Sequence, residues 1–167
     1  MKLNRLFGLA LTLSMLSAAA QTVTDPDWKE SDSPPPPAFS TKQLIQIQMP
    51  KYVSLRFGVD PQTLSITPDG IVRYVVMAIN SAGSTNAMYE GIRCATEEVK
   101  TYARYATEGR WSAVENPKWQ GLDDNLPSKH AIALVSQGLC EGHSPATRSA
   151  PAMIRLLKAA NESHSLF

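Results

Sequence analysis

This sequence has no excess of charge of either sign: 16 Lys and Arg stand against 15 Asp and Glu. Without a basic block to neutralise phosphates, nucleic acid is not an expected partner. Cysteine is scarce, with Cys94 and Cys140 alone, which excludes a framework of several disulfides and any Cys-x-x-Cys site. The apolar run at residues 6–16 falls short of the ~20 residues a membrane-spanning helix needs. His-Glu-x-x-His, Gly-x-Ser-x-Gly and a phosphate-cradling Gly-rich loop are all missing. The three histidines, His130, His143 and His164, have no helical i, i+4 spacing that would set up a metal centre. No cofactor is implied, and no catalytic set stands out.

What is present begins with Lys2 and Arg5, the apolar run, and Ser17-Ala18-Ala19-Ala20 before Gln21. That is the pattern of a secretory signal peptide over residues 1–20. An uncleaved anchor is the competing reading, and the shortness of the run argues against it. No cysteine sits at the cleavage site, so a lipoprotein is not expected. The expectation is a periplasmic protein with no stable membrane span after cleavage. In an oxidising compartment the two cysteines can pair in only one intramolecular way, Cys94 with Cys140. A loop of this size restricts the unfolded chain by about 4 kcal/mol in the loop-entropy model. The competing reading makes Cys140 a nucleophile with His130 or His143 as its base. Export opposes it, because the second cysteine would oxidise the first.

Residues 21–40 form an acidic, proline-rich arm containing Pro34 to Pro37. Those prolines favour an extended polyproline conformation and exclude a helix or central strand. Trp28 and Phe39 are its large apolar groups and can pin it to the domain. Residues 41–142 read as one globular domain. Ile45-Gln46-Ile47, then Val53, Leu55 and Phe57, and then Leu64-Ser65-Ile66 show the alternation of half-buried strands. Pro68-Asp69-Gly70 turns the chain into a hairpin, Ile71 to Ile79 and then Met88 to Cys94, joined by a small polar segment at Gly83. The first of these strands is apolar on both faces apart from Arg73, as expected for a central strand covered on both sides. Residues 99–105 alternate as a third strand, with a short helix as the alternative. Residues 128–140 are the best helix, with Ser128 as N-cap and Ile132, Val135 and Leu139 on one stripe. Gly138 or Gly142 ends it. Residues 143–167 are expected to be a loosely packed helical extension, opened by Pro151.

One stretch carries a resemblance. Asp69-Gly70-Ile71-Val72-Arg73-Tyr74, then Tyr89-Glu90-Gly91-Ile92-Arg93-Cys94, then Trp111, Trp119 and Cys140, is similar to the cryptic neisserial protein family of small exported bacterial proteins. The similarity runs from Trp28 to Cys140. It implies an envelope location and a single globular domain, and carries no active site with it.

The fold expected is therefore α+β: an antiparallel sheet of four to six strands, one main helix stapled to it by the disulfide, and a C-terminal helical extension. Arg73, Tyr89, Glu90, Arg93 and Trp111 are the candidate binding surface, for an envelope protein or a small ligand. Alternation sends Glu90 and Arg93 to opposite faces, so two readings of the charges stand. Glu90 pairs with Arg73 across the hairpin, or Arg73, Glu90 and Arg93 line a groove between sheet and helix. The aromatic set Tyr74, Tyr89, Tyr102, Trp111 and Trp119 is read as core before ligand surface. A non-enzymatic binding module of the cell envelope is the leading expectation. A small hydrolase with a carboxylate and histidine site is the alternative. A deep pocket holding His130 with Asp123, Asp124 or Glu90 would favour the hydrolase, and a shallow aromatic face would favour binding.

Overall fold

A computed structural model describes residues 25–106 and 108–164. The signal-peptide reading of residues 1–20 lies outside the described residues. The architecture is mixed α+β and mostly sheet. Its centre is the expected hairpin, β4 (Ile71–Ile79) with β5 (Thr85–Arg93), paired from Ile71 opposite Arg93 to Ile79 opposite Thr85. Asn80 closes the turn, its Oδ1 accepting from Ser84 N at 2.9 Å, and Gly83 takes the positive φ of 83° that the reversal requires.

The sheet is wider than the four to six strands expected. Its antiparallel order is β1 (Ile45–Ile47), β2 (Arg56–Val59), β4, β5, β6 (Glu98–Tyr105), β7 (Trp111–Ala113). Two short strands, β3 (Ser65–Ile66) beside β4 and β8 (Gln120–Gly121) beside β6, bring it to eight strands among the described residues. Asp60, 1 % exposed, explains how β2 and β3 share one edge of β4. It caps the one-turn helix at Pro61–Thr63, accepting from Gln62 N at 2.9 Å, and so redirects the chain.

Residues 99–105 are strand rather than helix, but their alternation breaks. The ladder between β5 and β6 shifts between Tyr89, opposite Ala103, and Glu90, opposite Thr101. Tyr102 is thus the extra residue of a bulge, and it packs in the same cluster as Ala103.

The helical expectations are corrected in two places. Helix α1 is short, His130–Leu134, and continues as a widened turn over Val135–Leu139. Gly138, at φ 107°, ends it, and Cys140 passes into a small ribbon of β9 (Cys140–Glu141) and β10 (Ser144–Pro145). Its buried side is His130, Ala131 and Leu134, while Ile132 is 38 % exposed. The stripe on Ile132 fails because a contact from His130 to the sheet sets the rotation of the helix. The C-terminal helix α2 (Ala150–His164) is docked rather than loose, with Met153 and Leu157 fully buried. A polar clasp also holds it: Gln137 Nε2 donates to Gln46 O at 3.0 Å and Asn161 Oδ1 at 3.1 Å, and Asn161 Nδ2 donates to Gln46 O at 2.9 Å.

Cys94 and Cys140 form the expected disulfide, with Cα atoms 5.7 Å apart. It joins the end of β5 to the end of the widened turn. Two cores result. Val72, Tyr74, Val76, Ile92 and Leu134 lie among the helix-side cluster. Val75, Met77, Tyr89 and Tyr102 form the opposite one, with Phe39 of the arm against them. Among the described residues, no helix is long and apolar enough to cross a membrane.

Reduction should lower the unfolding free energy by about 4 kcal/mol, the loop-entropy figure for a span of this size. Gly138→Ala should cost about 1–3 kcal/mol, because φ is positive there and a Cβ would lie 2.7 Å from Leu156 Cδ2. Denaturant midpoints of the two forms, compared with the oxidised parent, check both.

Candidate functional site

The five residues singled out in the sequence do not share one face. Alternation along β4 and β5 turns Arg73, Tyr89 and Arg93 to one side of the sheet and Glu90 to the other. Opposite Glu90 stands Tyr74, not Arg73, and Arg73 faces Gly91. The cross-strand pair of Glu90 with Arg73 is therefore absent. So is a groove lined by all three charges.

The face of Arg73, Tyr89 and Arg93 is covered by the chain's own arm. Its centre is Glu30. One carboxylate oxygen accepts from Lys100 Nζ at 2.7 Å and Trp119 Nε1 at 3.1 Å, and the other accepts from the Tyr102 hydroxyl at 2.8 Å. The Arg73 guanidinium lies 3.7 Å from it and donates to Ser31 O at 2.8 Å. Trp28 stacks on Arg93, whose guanidinium carbon is 3.5 Å from the ring centre. Its indole N–H donates to Asp69 O at 2.9 Å. Farther along, Trp111 Nε1 donates to Pro37 O at 3.2 Å, and Phe39 meets the Tyr105 ring edge-on at 4.9 Å. The arm is thus held by side chains recognising its backbone and by one inserted carboxylate. Arg73 and Arg93 are 2 % and 9 % exposed, and the Nε of each has no hydrogen-bond partner among the described residues. Burying such cations is costly unless a partner compensates, and the arm supplies most of that compensation.

Glu90 works on the helix side, where it is 2 % exposed. Its Oε2 is 2.7 Å from His130 Nε2, and its Oε1 accepts from the Thr101 hydroxyl at 3.0 Å. The Tyr74 hydroxyl lies 3.4 Å away. Phe57 stacks on the imidazole with ring centres 5.1 Å apart. On the outer side, His130 Nδ1 lies 2.7 Å from Ser128 Oγ. A carboxylate only accepts, so Nε2 carries the proton shared with Glu90, and in the neutral imidazole the Nδ1 lone pair then faces the Ser128 hydroxyl. Glu90, Thr101, Ser128 and His130 line a recess of about 140 Å³. Asp123 and Asp124 are exposed and stay out of it, and Asp124 accepts from Gly121 N at 2.9 Å in its own turn. Among the described residues, no three His, Cys, Asp or Glu side chains converge as a metal site.

Tyr74, Tyr89 and Tyr102 are buried, as read from the sequence, while Trp111 and Trp119 are half-buried at the arm. The part of Glu30 was not legible. A Trp-x-Glu in a proline-rich arm is a weak signal until it meets surplus cations on one strand face. Ser128 was visible only as a helix N-cap; Lys129 takes that position instead, and Ser128 Oγ, one residue earlier, accepts from His130 N at 3.3 Å.

The chain matches the CNP1-like family over residues 23–158. Cryptic neisserial protein 1 of Neisseria gonorrhoeae is 27 % identical over an alignment covering 57 % of this chain. That alignment spans 56 % of the relative's own length. No solved structure matches.

Burial pushes the Tyr74 hydroxyl well above its ordinary range, and the Glu90 carboxylate pushes it further. Burial also raises Tyr89 and, together with hydrogen bonding to Glu30, Tyr102. For a phenol, a raised folded value means that the neutral form is favoured in the fold. The stability it contributes is complete below the unfolded value of about 10 and is lost as pH rises through the folded values. Tyrosinate absorbance and far-ultraviolet circular dichroism should show these three ionising only with unfolding. Their ionisation in a folded protein would contradict this.

Proposed function

The chain belongs to the CNP1-like family, and we propose that it acts as a periplasmic interaction module of the bacterial envelope. Its sheet face recognises an extended acidic, proline-rich segment. The observation that carries this reading is the cage of Lys100, Tyr102, Trp119 and Arg73 around the Glu30 carboxylate. A face that holds one such segment in cis has the chemistry to hold another from a partner. The ligand class is an extended peptide with a Trp-x-Glu sequence followed by prolines: the indole for Arg93, the carboxylate for the cage, the prolines for Trp111 and its neighbours. Polyproline backbone suits this use because little conformational entropy is lost on binding. The disulfide agrees with an oxidising compartment.

A second reading, a small hydrolase with a carboxylate and histidine site, is favoured by the contact of Glu90 with His130 in a recess beside Ser128. Ester turnover by the purified chain checks it. The recess itself is below the usual 300–1,000 Å³ of ligand sites, so this reading needs a neighbouring site for the acyl group, and the binding reading stands first.

The arm tests the leading reading directly. A protease site inserted between the exposed Thr41 and Lys42 of the full chain allows the arm to be cut in the folded protein. We expect the cut arm to stay bound through gel filtration and to exchange with an excess of labelled peptide of residues 25–40. The Glu30→Gln peptide should bind about tenfold more weakly, since a charge-assisted hydrogen bond contributes on the order of 1.5 kcal/mol. Immediate loss of the cut arm, or equal binding of both peptides, would remove the basis for a peptide-recognition face.

A further inference from the structure

We infer that Ser128 is a nucleophile for acyl transfer, with His130 as its base, Glu90 as the residue positioning that base, and medium-chain carboxylic esters as the substrate class. This rests on the hydrolytic reading and adds to it the nucleophile, the proton path and the acyl site. The three groups form one line, Ser128 Oγ to His130 Nδ1 at 2.7 Å and His130 Nε2 to Glu90 Oε2 at 2.7 Å. A serine, a histidine and a carboxylate in series is the arrangement that activates a hydroxyl for attack on a carbonyl carbon. Here the two ring nitrogens are interchanged relative to the serine protease case, which changes the route of approach and not the proton bookkeeping.

Two further observations separate this line from a simple helix cap. Glu90 and His130 are a buried polar pair in a small core, where well-packed apolar residues would serve stability at least as well. Ser128, half-buried, also borders a second recess of about 470 Å³, which is within the usual volume of ligand sites. Leu55, Phe57, Ala78, Ala87 and Met88 line this second recess, so it suits an apolar chain. The serine hydroxyl thus lies where an acyl pocket meets a base. Arg104 borders both recesses, with NH1 3.1 Å from the weakly accepting Met88 sulfur. It is the group assigned to face the developing oxyanion.

In the step, the Ser128 Oγ bonds to the ester carbonyl carbon while its proton passes to His130 Nδ1. Collapse of the tetrahedral intermediate breaks the bond to the alcohol, which leaves with that proton. Water then adds to the acyl carbon, giving a proton to Nδ1. The carboxylic acid departs as Ser128 Oγ takes that proton back. Glu90 holds the Nε2 proton throughout and is not consumed. No oxidant, reductant or metal enters the balance.

The test uses the full chain with a fluorophosphonate probe and the p-nitrophenyl esters of acetate, butyrate and octanoate. The expected result is an adduct mapped to Ser128 by peptide mass spectrometry, with octanoate hydrolysed at least tenfold faster than acetate. His130→Gln should lower the rate by about a hundredfold or more, the size of a general-base contribution. Ser128→Ala should abolish labelling with the circular dichroism spectrum unchanged. Glu90→Gln should lower kcat, and its rate should have a pH profile different from that of the parent, which a purely structural role would not produce. Hydrolysis that persists in Ser128→Ala, with Ser128 unlabelled in the parent, overturns the nucleophile while leaving the hydrolytic reading standing. Neither adduct nor turnover in the parent overturns both.

Discussion

A strand that is apolar on both faces must be covered twice, and β4 imposes that requirement on the whole molecule. From Ile71 to Ala78 every residue is buried. One side is closed by α1, the widened turn and α2, drawn together by the disulfide and by the clasp of Gln137 and Asn161. Among the described residues, no helix covers the other side. The arm closes it, a segment whose prolines cannot form a ladder, so side chains of the sheet have to provide its hydrogen bonds.

The two polar clusters follow from this double covering. Adjacent residues on β5 point to opposite layers, so Glu90 enters the helical core while Tyr89 and Arg93 enter the arm layer. The bulge at Tyr102 keeps both arrangements possible. Without an extra residue in β6, Thr101 facing Glu90 and Ala103 facing Tyr89 would fall out of register. Gly91 fits the same scheme, since a Cβ there would lie 2.8 Å from the Tyr102 hydroxyl that reaches Glu30. One strand therefore supplies the acid of a histidine pair on one side and, on the other, the Arg93 cation against which Trp28 of the arm stacks. Neither cluster would hold its geometry if the register slipped by one residue.

Much of this was legible locally. The hairpin follows from β-branched residues bounded by Asp69-Gly70 and the Gly83 segment, and the opposite facing of Glu90 and Arg93 follows from alternation alone. What misled was periodicity where a distant contact overrides it. In α1 the apolar stripe on Ile132 yields to the reach of His130 toward Glu90, forty residues earlier. In α2 the apolar stripe was visible, but its docking depends on Gln46 and Gln137, which lie in other elements. The proline-rich arm was legible as extended and acidic, while its seat was not.

The mixed α+β class, the central hairpin, the face each hairpin residue takes and the pairing of Cys94 with Cys140 were all within reach of the residues alone. These depend on periods of two residues, on turn chemistry and on having only two cysteines, all of which are short-range or countable. Packing between distant elements was needed to bring Glu30 to Lys100, Tyr102 and Trp119, at separations of 70 to 89 residues, and to set Ser128, His130 and Glu90 in series. Such contacts satisfy buried charges whose partners can be anywhere along the chain. Which partner wins depends on the packing of whole layers, and no local pattern records it.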